Sequence, residues 1–316
     1  MIDFLIEPLT ESIYEQAKNF VEANEKYSVL LSAMISSIKV PDKISPQGDI
    51  FCIFKIENGK KLVGVFGITY SELILHNIPF LFENQISNTN EEILKIVKKN
   101  LIEKLSAIIK GRNVFSIMGE ANSSDIFCKA CEAAGKKDLC KYSYILMEYN
   151  DKNTKMDFSK FSPQNLLQKE LFIRACSPLD AESLYPLQKE YDIIEVLPPK
   201  MYHDEFVCKM NLKRNLAHHL IYAVFYGNKA VAKAGTNAIG TFYFQIGGVF
   251  TEKQWRNKQL AQAVVSAVVK EALAQGKKTV LFVKTQNEPA KAVYTNIGFE
   301  PCGNYKICYF EKEFRL

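Results

Sequence analysis

A mixed α/β protein built of two tandem domains is the fold class this sequence predicts, and three observations predict it. The chain has 316 residues, comfortable for two domains of about 150 each. Its second half alternates strand-like and helix-like runs in the order β-α-α-β-β-β-α-β-α-β. Its first half closes with a pattern that the second half repeats. The expected division is residues 1–150, a polar linker at 151–168, and residues 169–316.

The repeat rests on particular residues. Val114 to Asn122 is an apolar strand running into an Asn, followed by a helical stretch, Ala134-Gly135, Cys140 and a closing strand at Tyr142–Tyr149. Val280 to Asn287 likewise runs into an Asn, then a helix, Ile297-Gly298, Cys302 and a closing strand from Tyr305. The two Asn residues are 165 apart and the two Gly residues 163 apart, so one small length change covers both. A period this long means a duplicated domain, because solenoid units run only about 20–50 residues.

Within the second half, Leu171–Cys176 reads as a strand and Asp180–Tyr191 as a helix with Leu184, Leu187 and Tyr191 on one face. A second helix spans His203–Leu216. Strands Leu220–Tyr226 and Ala230–Thr236 are joined by Gly227-Asn228, a hairpin turn pair. Phe242–Thr251 is a strand, Leu260–Leu273 an apolar helix and Val280–Val283 a buried strand. Pro289 falls in the first turn of the last helix, where its missing N–H costs little, and Gly298 ends that helix.

Composition narrows the function classes. Hydrophobic residues are 47% and charged residues 24%, ordinary for a globular protein with large cores. A net charge of +5 is too small to argue for nucleic acid but suits a polyanionic small ligand. No run approaches the roughly 18 apolar residues of a membrane span, and the N-terminus does not read as a signal peptide. The expected compartment is therefore the cytoplasm, with the eight cysteines as thiols. Cys128, Cys131 and Cys140 supply only one close pair without a nearby histidine, so no metal is expected there.

Two segments carry chemistry. In Ile246 to Ala261 a strand passes through a basic loop into a helix start, where unpaired backbone N–H groups and the helix dipole favour an anion. Arg256 and Lys258 add positive charge, giving a plausible pyrophosphate cradle whose bland counterpart is a solvated basic turn. In Asn287 to Phe299, Asn287 follows a buried strand and Tyr294 lies two helical turns later, placed to bring a phenol to the strand end.

Together these segments resemble the GNAT N-acyltransferases. In that family Arg-x-x-Gly-x-Gly/Ala follows the CoA-binding strand, and Asn-x-x-Ala-x-x-x-Tyr-x-x-x-Gly-Phe comes after it. The second pattern is complete here in Asn287, Ala290, Tyr294, Gly298 and Phe299. In the first, Arg256 and Ala261 match, while Gln259 and Asn257 stand where the family usually has Gly. Glycine there permits close backbone approach and unusual φ, so Gln259 either narrows the cradle or donates its amide to the ligand.

The resemblance implies two tandem GNAT-like acyl-CoA N-acyltransferase domains and acetyl-CoA as co-substrate, without metal. It implies that backbone at Val249, Phe250 and Thr251 pairs with the pantetheine arm, and that Asn257, Lys258, Gln259, Leu260, Ala261 and Gln262 hold the pyrophosphate beside Arg256. Asn287 would meet the ligand at the strand end, and Tyr294 would protonate the departing thiolate. Glu195 is the base candidate, with His218 and His219 as alternatives. The acceptor is a small-molecule or peptide amine attacking the thioester directly. The rival reading is a CoA-binding sensor or scaffold without turnover.

The first half lacks this equipment. Between an expected strand at Ile78–Phe82 and a helix from Glu91, the segment Glu83–Asn90 has neither Arg nor Gly. The repeat offsets place Lys129, Ala130 or Cys131 against Tyr294, none of them a tyrosine. This half is therefore expected to be degenerate, shaping the acceptor site or mediating a homodimer.

Overall fold

The computed structural model describes residues 3–38, 47–81, 91–151, 171–199 and 201–311. The chain divides into two compact units, Met1–Ile145 with Gly303–Leu316, and Leu146–Cys302. The expected linker, beyond Asp151, and the segment Glu83–Asn90 lie outside the described residues.

The first unit runs β1 (Asp3–Pro8), α1 (Glu11–Ala23), α2 (Val29–Ser36), β2 (Gly48–Ile56), β3 (Lys60–Thr69), β4 (Leu73–Asn77), α3 (Glu91–Ile109), β5 (Ser116–Glu120), α4 (Ala121–Ala133) and β6 (Asp138–Tyr149). Strands β1 to β4 pair antiparallel in chain order, and β4 pairs parallel with β5. Of the expected strand at Ile78–Phe82, the residues from Ile78 to Leu81 form none, and Phe82 lies outside the described residues. The strand ends at Asn77, and Pro79, with its fixed φ and missing N–H, opens a 3-10 turn through Leu81.

Alternation along β2 builds two core layers. Phe51 and Ile53 pack with Leu101, Leu105 and Phe127, while Ile50, Cys52 and Phe54 pack with Ala17, Val21 and Met34. Successive strand side chains point to opposite faces, so helices cover the sheet on both sides.

The second unit repeats the element order: β7 (Leu171–Ala175), α5 (Ala181–Tyr191), α6 (Glu205–His218), β8 (Ile221–Tyr226), β9 (Lys229–Ile239), β10 (Tyr243–Thr251), α7 (Leu260–Ala274), β11 (Lys278–Lys284), α8 (Glu288–Ile297) and β12 (Phe299–Phe310). Again four strands pair antiparallel in chain order, and the fourth, β10, pairs parallel with β11. Helix α5 does not stop at Tyr191 but continues as a π-helical turn, Asp192–Val196.

The boundary at the C-terminus differs from the sequence expectation. Residues from Gly303 belong to the first unit, where β12 pairs antiparallel with β5 from Tyr305↔Glu120 to Tyr309↔Ser116. In return, Leu146–Tyr149 at the end of β6 belong to the second unit, and β6 neighbours β11. A repeat read along the sequence cannot reveal this exchange, because two copies of a strand carry the same pattern whichever sheet they complete.

Candidate functional site

Strands β10 and β11 pair from Tyr243↔Lys278 to Ile246↔Leu281. The pairing stops there, although β10 continues to Thr251 and β11 to Lys284. A bulge in β10 accounts for part of this. Its register against β9 shifts between Gly247 and Phe250, leaving Gly248 and Val249 out of the ladder. Gly248 needs glycine for its backbone conformation, while a side chain at Gly247 would have to displace the exposed Asn237 amide. A Cβ on Gly247 would lie 2.0 Å from the Asn237 amide, and Gly248 has φ +60°.

A buried lysine holds the bulge from beneath. Lys233 of β9 is 5% exposed and donates from Nζ to the Gly248 carbonyl at 2.8 Å. Its ammonium sits 4.6 Å from the Tyr191 ring centroid. Burial pulls its pKa down to about 8, against the opposing pull of Asp192, Cys208 and Cys176. Sequence reading missed Lys233. Its only signal is a lone charge in the apolar run Ala230-Val-Ala-Lys-Ala.

Beyond the strand, Lys253–Trp255 forms a 3-10 turn and the chain enters α7. Asn257 and Gln259 both have left-handed φ, 61° and 60°. The conformation for which glycine is suited is therefore kept by non-glycine residues. Gln259 is the N-cap of α7 but makes no side-chain cap bond, and it is exposed rather than folded into the loop. Its side chain lies at the surface of the loop. The N–H groups of the first α7 turn stay without intrahelical acceptors, the arrangement that binds anions.

The other expected residues around the loop divide by role. Arg256 and Lys258 are exposed, with Arg256 Nε donating to the Thr251 carbonyl at 3.2 Å and Lys258 Nζ 4.5 Å from the Trp255 ring. Phe250 and Leu260 are buried in the core, so only their backbone is available to a ligand. Val249, Thr251, Ala261 and Gln262 are half-buried along the same path.

Helix α8 supplies the opposite wall. Asn287 caps it, its Oδ1 accepting from Ala290 N–H at 3.1 Å. Gly298 ends the helix with φ +117°. Between them Tyr294 is 8% exposed, and burial, with smaller effects from Tyr191 and Glu195, holds its phenol well above the ordinary range. Glu195 sits in the π-helical turn and pairs through Oε2 with Lys284 Nζ at 2.9 Å, at the end of β11. Tyr191, Glu195, Lys284 and Tyr294 thus converge where β10 and β11 part. His219 packs elsewhere, 3.3 Å from the Thr236 hydroxyl.

A cavity of about 430 Å³ lined by Glu148, Lys278 and Glu300 lies at the other end of β11 and takes no part in this convergence. Cys128 and Cys131 are free thiols buried in the first unit's core; a hydrogen bond with the Cys308 thiol, then burial, raises the Cys128 pKa, and burial raises that of Cys131.

The first unit fills the corresponding place. Its last helix, α4, is capped by Glu120, whose carboxylate accepts from Asn122 and Ser123 N–H, so Asn122 is not the counterpart of Asn287. Counting from cap to cap, Phe127 rather than Lys129, Ala130 or Cys131 stands where α8 has Tyr294. Phe127 stacks on His76 at 4.9 Å, and that imidazole lies against Gly119, where a Cβ would meet it at 2.3 Å.

A bulged strand parting from its parallel neighbour, a helix start without a side-chain cap and a buried tyrosine are thus features of the second unit. Residues 181–299, a little over a third of the chain, match the acetyltransferase (GNAT) family. Three solved structures are similar over nearly the whole chain. A Drosophila protein has 9% identity over 97% of this chain and 98% of that one, with a TM-score of 0.60. A tandem GNAT protein from the clavulanic acid biosynthesis pathway has 9% identity over 98% of each chain, TM-score 0.52. An N-acetyltransferase-like protein from Streptococcus suis has 12% identity over 93% of this chain and 100% of that one, TM-score 0.51. Such identities speak to fold alone. No curated protein matches this chain. Among the described residues no helix is long and apolar enough to cross a membrane.

Proposed function

We propose that the second unit binds acetyl-CoA and transfers its acetyl group to a primary amine by direct attack. The observation that carries this reading is the left-handed loop at Asn257–Gln259 leading into the uncapped start of α7, beside the parted ends of β10 and β11. A diphosphate fits the first and an acyl-pantetheine arm fits the second.

In this reading the backbone of Val249, Phe250 and Thr251 pairs with the pantetheine amides, and the N–H groups from Asn257 to Gln262 hold the pyrophosphate with Arg256 as counter-charge. Lys233 acts as a positioning residue, fixing the Gly248 carbonyl and so the bulge. The amine nitrogen bonds the thioester carbon, and the C–S bond breaks with its electron pair going to sulfur. The amine proton leaves towards Glu195 or an ordered water chain, and the Tyr294 phenol donates to the departing thiolate. Burial keeps that phenol protonated throughout the neutral range, the form a donor needs.

A second reading, a CoA-binding sensor without turnover, is favoured by one observation: Lys284 already occupies the Glu195 carboxylate. Calorimetric titration with acetyl-CoA, paired with rate assays over an amine panel, separates the two. We expect one binding site per chain. Arg256→Ala should weaken it roughly tenfold, the loss of a charge-assisted contact. Tyr294→Phe should leave binding unchanged and lower turnover roughly 10²-fold. Binding without turnover on any amine supports the sensor; no binding by the wild type sinks both.

A further inference from the structure

The second unit carries a group of metal-ligating side chains that acetyl transfer does not use. Asp192 opens the π-helical turn, His203 precedes α6, and Cys208 lies in the first turns of α6. One ligand atom from each lies within 4.8 Å of the others. The Cys208 thiol donates to Asp192 Oδ2 at 3.2 Å, and Asp192 Oδ1 accepts from Gln188 Nε2 at 2.8 Å. His203 Nε2 is buried and has no hydrogen-bond partner.

A thiol–carboxylate hydrogen bond accounts for Asp192 and Cys208 alone. It leaves the imidazole nitrogen orphaned, and a buried polar atom without a partner is destabilising. A cation at the centre of the three groups satisfies all of them at once. The donor set, one thiolate sulfur, one imidazole nitrogen and one carboxylate oxygen, suits zinc over the hard cations magnesium and calcium. The Gln188 amide already holds the carboxylate from behind, as an outer partner holds a metal ligand.

We propose that Asp192, His203 and Cys208 form a zinc site with three protein ligands and an open fourth position. On binding, the Cys208 proton leaves to solvent and the thiolate bonds the metal. The ligands come from two elements, so the ion ties the π-helical turn to α6. Glu195 lies on that same turn, three residues beyond Asp192, so the metal fixes where its carboxylate stands. The proposal is independent of acetyl transfer, because its ligands and its readouts involve no acyl group.

The test is elemental analysis of the untagged full chain after dialysis with zinc and then against metal-free buffer. One zinc per chain is expected, falling to near zero in Cys208→Ser and in His203→Gln, with Cys302→Ser as an unaffected control. Cobalt(II) in place of zinc should give the intense near-ultraviolet band of a cobalt–thiolate bond. That measurement needs no variant, and therefore decides the matter even if a substitution unfolds the unit. A wild-type chain that retains no zinc, a cobalt spectrum without the thiolate band, or zinc retained by folded Cys208→Ser each overturns the proposal.

Discussion

Gln259 and Asn257 separate what a residue type permits from what its neighbours impose. Both occupy left-handed φ, where a Cβ crowds the backbone by about 1–2 kcal/mol for most residues and less for Asn. The chain must turn there because α7 begins at Leu260 with its N–H groups outward. The sequence shows that glycine is missing but not that the turn survives, since the conformation is set by the elements on either side. Gln259→Gly should stabilise the second unit by about 0.5–1 kcal/mol, the released strain being partly offset by a freer unfolded chain. Gln259→Val should destabilise it, because a β-branched residue tolerates that φ least. Denaturant titration of the two variants measures both signs. Lys233, by contrast, was invisible because a lone lysine in a strand ordinarily faces water. The bulge, which presents the Gly248 carbonyl inward, gives its ammonium a hydrogen-bond acceptor.

At the scale of elements, helix ends were the most legible feature. Pro289 and Gly298 bracket α8 in sequence and in structure, because φ restriction and the left-handed cap are properties of single residues. Register between the halves was less legible: matching Asn122 to Asn287 overlooked that a glutamate caps α4, and with it that Phe127 replaces the tyrosine. The same helix and β4 meet at His76, which is 2% exposed and donates or accepts at Ser124 Oγ at 2.9 Å. Burial pushes its pKa down to about 3 from 6.5. The folded unit therefore binds fewer protons than the unfolded chain between those values. The stability His76 allows is intact above pH about 6.5 and is lost progressively as pH falls towards 3. Over that whole range the loss approaches roughly 5 kcal/mol. His76→Gln should flatten the pH dependence of unfolding between pH 4 and 6.5, and hydrogen exchange resolved along the chain should place the effect in the first unit.

For the molecule as a whole, the exchanged closing strands matter most. Beyond Cys302, β12 gives the first unit Cys308 and Phe310, both buried in its core, and a partner for β5. Removing a buried Phe alone costs about 3–5 kcal/mol. A chain ending at Cys302 should therefore lose amide protection throughout the first unit while residues 171–302 keep theirs, and exchange followed by mass spectrometry checks this. Equal loss in both units would mean that the division is not energetic.

The same arrangement sets an order of events on the ribosome. The strand segment that completes the second unit, at the end of β6, is made before anything else in that unit. The segment that completes the first unit is made after the whole of the second. The half that emerges first is thus the last to finish, and β5 waits with an open edge while the rest of the chain is translated. At about 5–20 residues per second that wait is on the order of ten seconds. Through that interval it is the nascent first half, with an unpaired strand edge beside an apolar core, that needs protection from pairing with its neighbours.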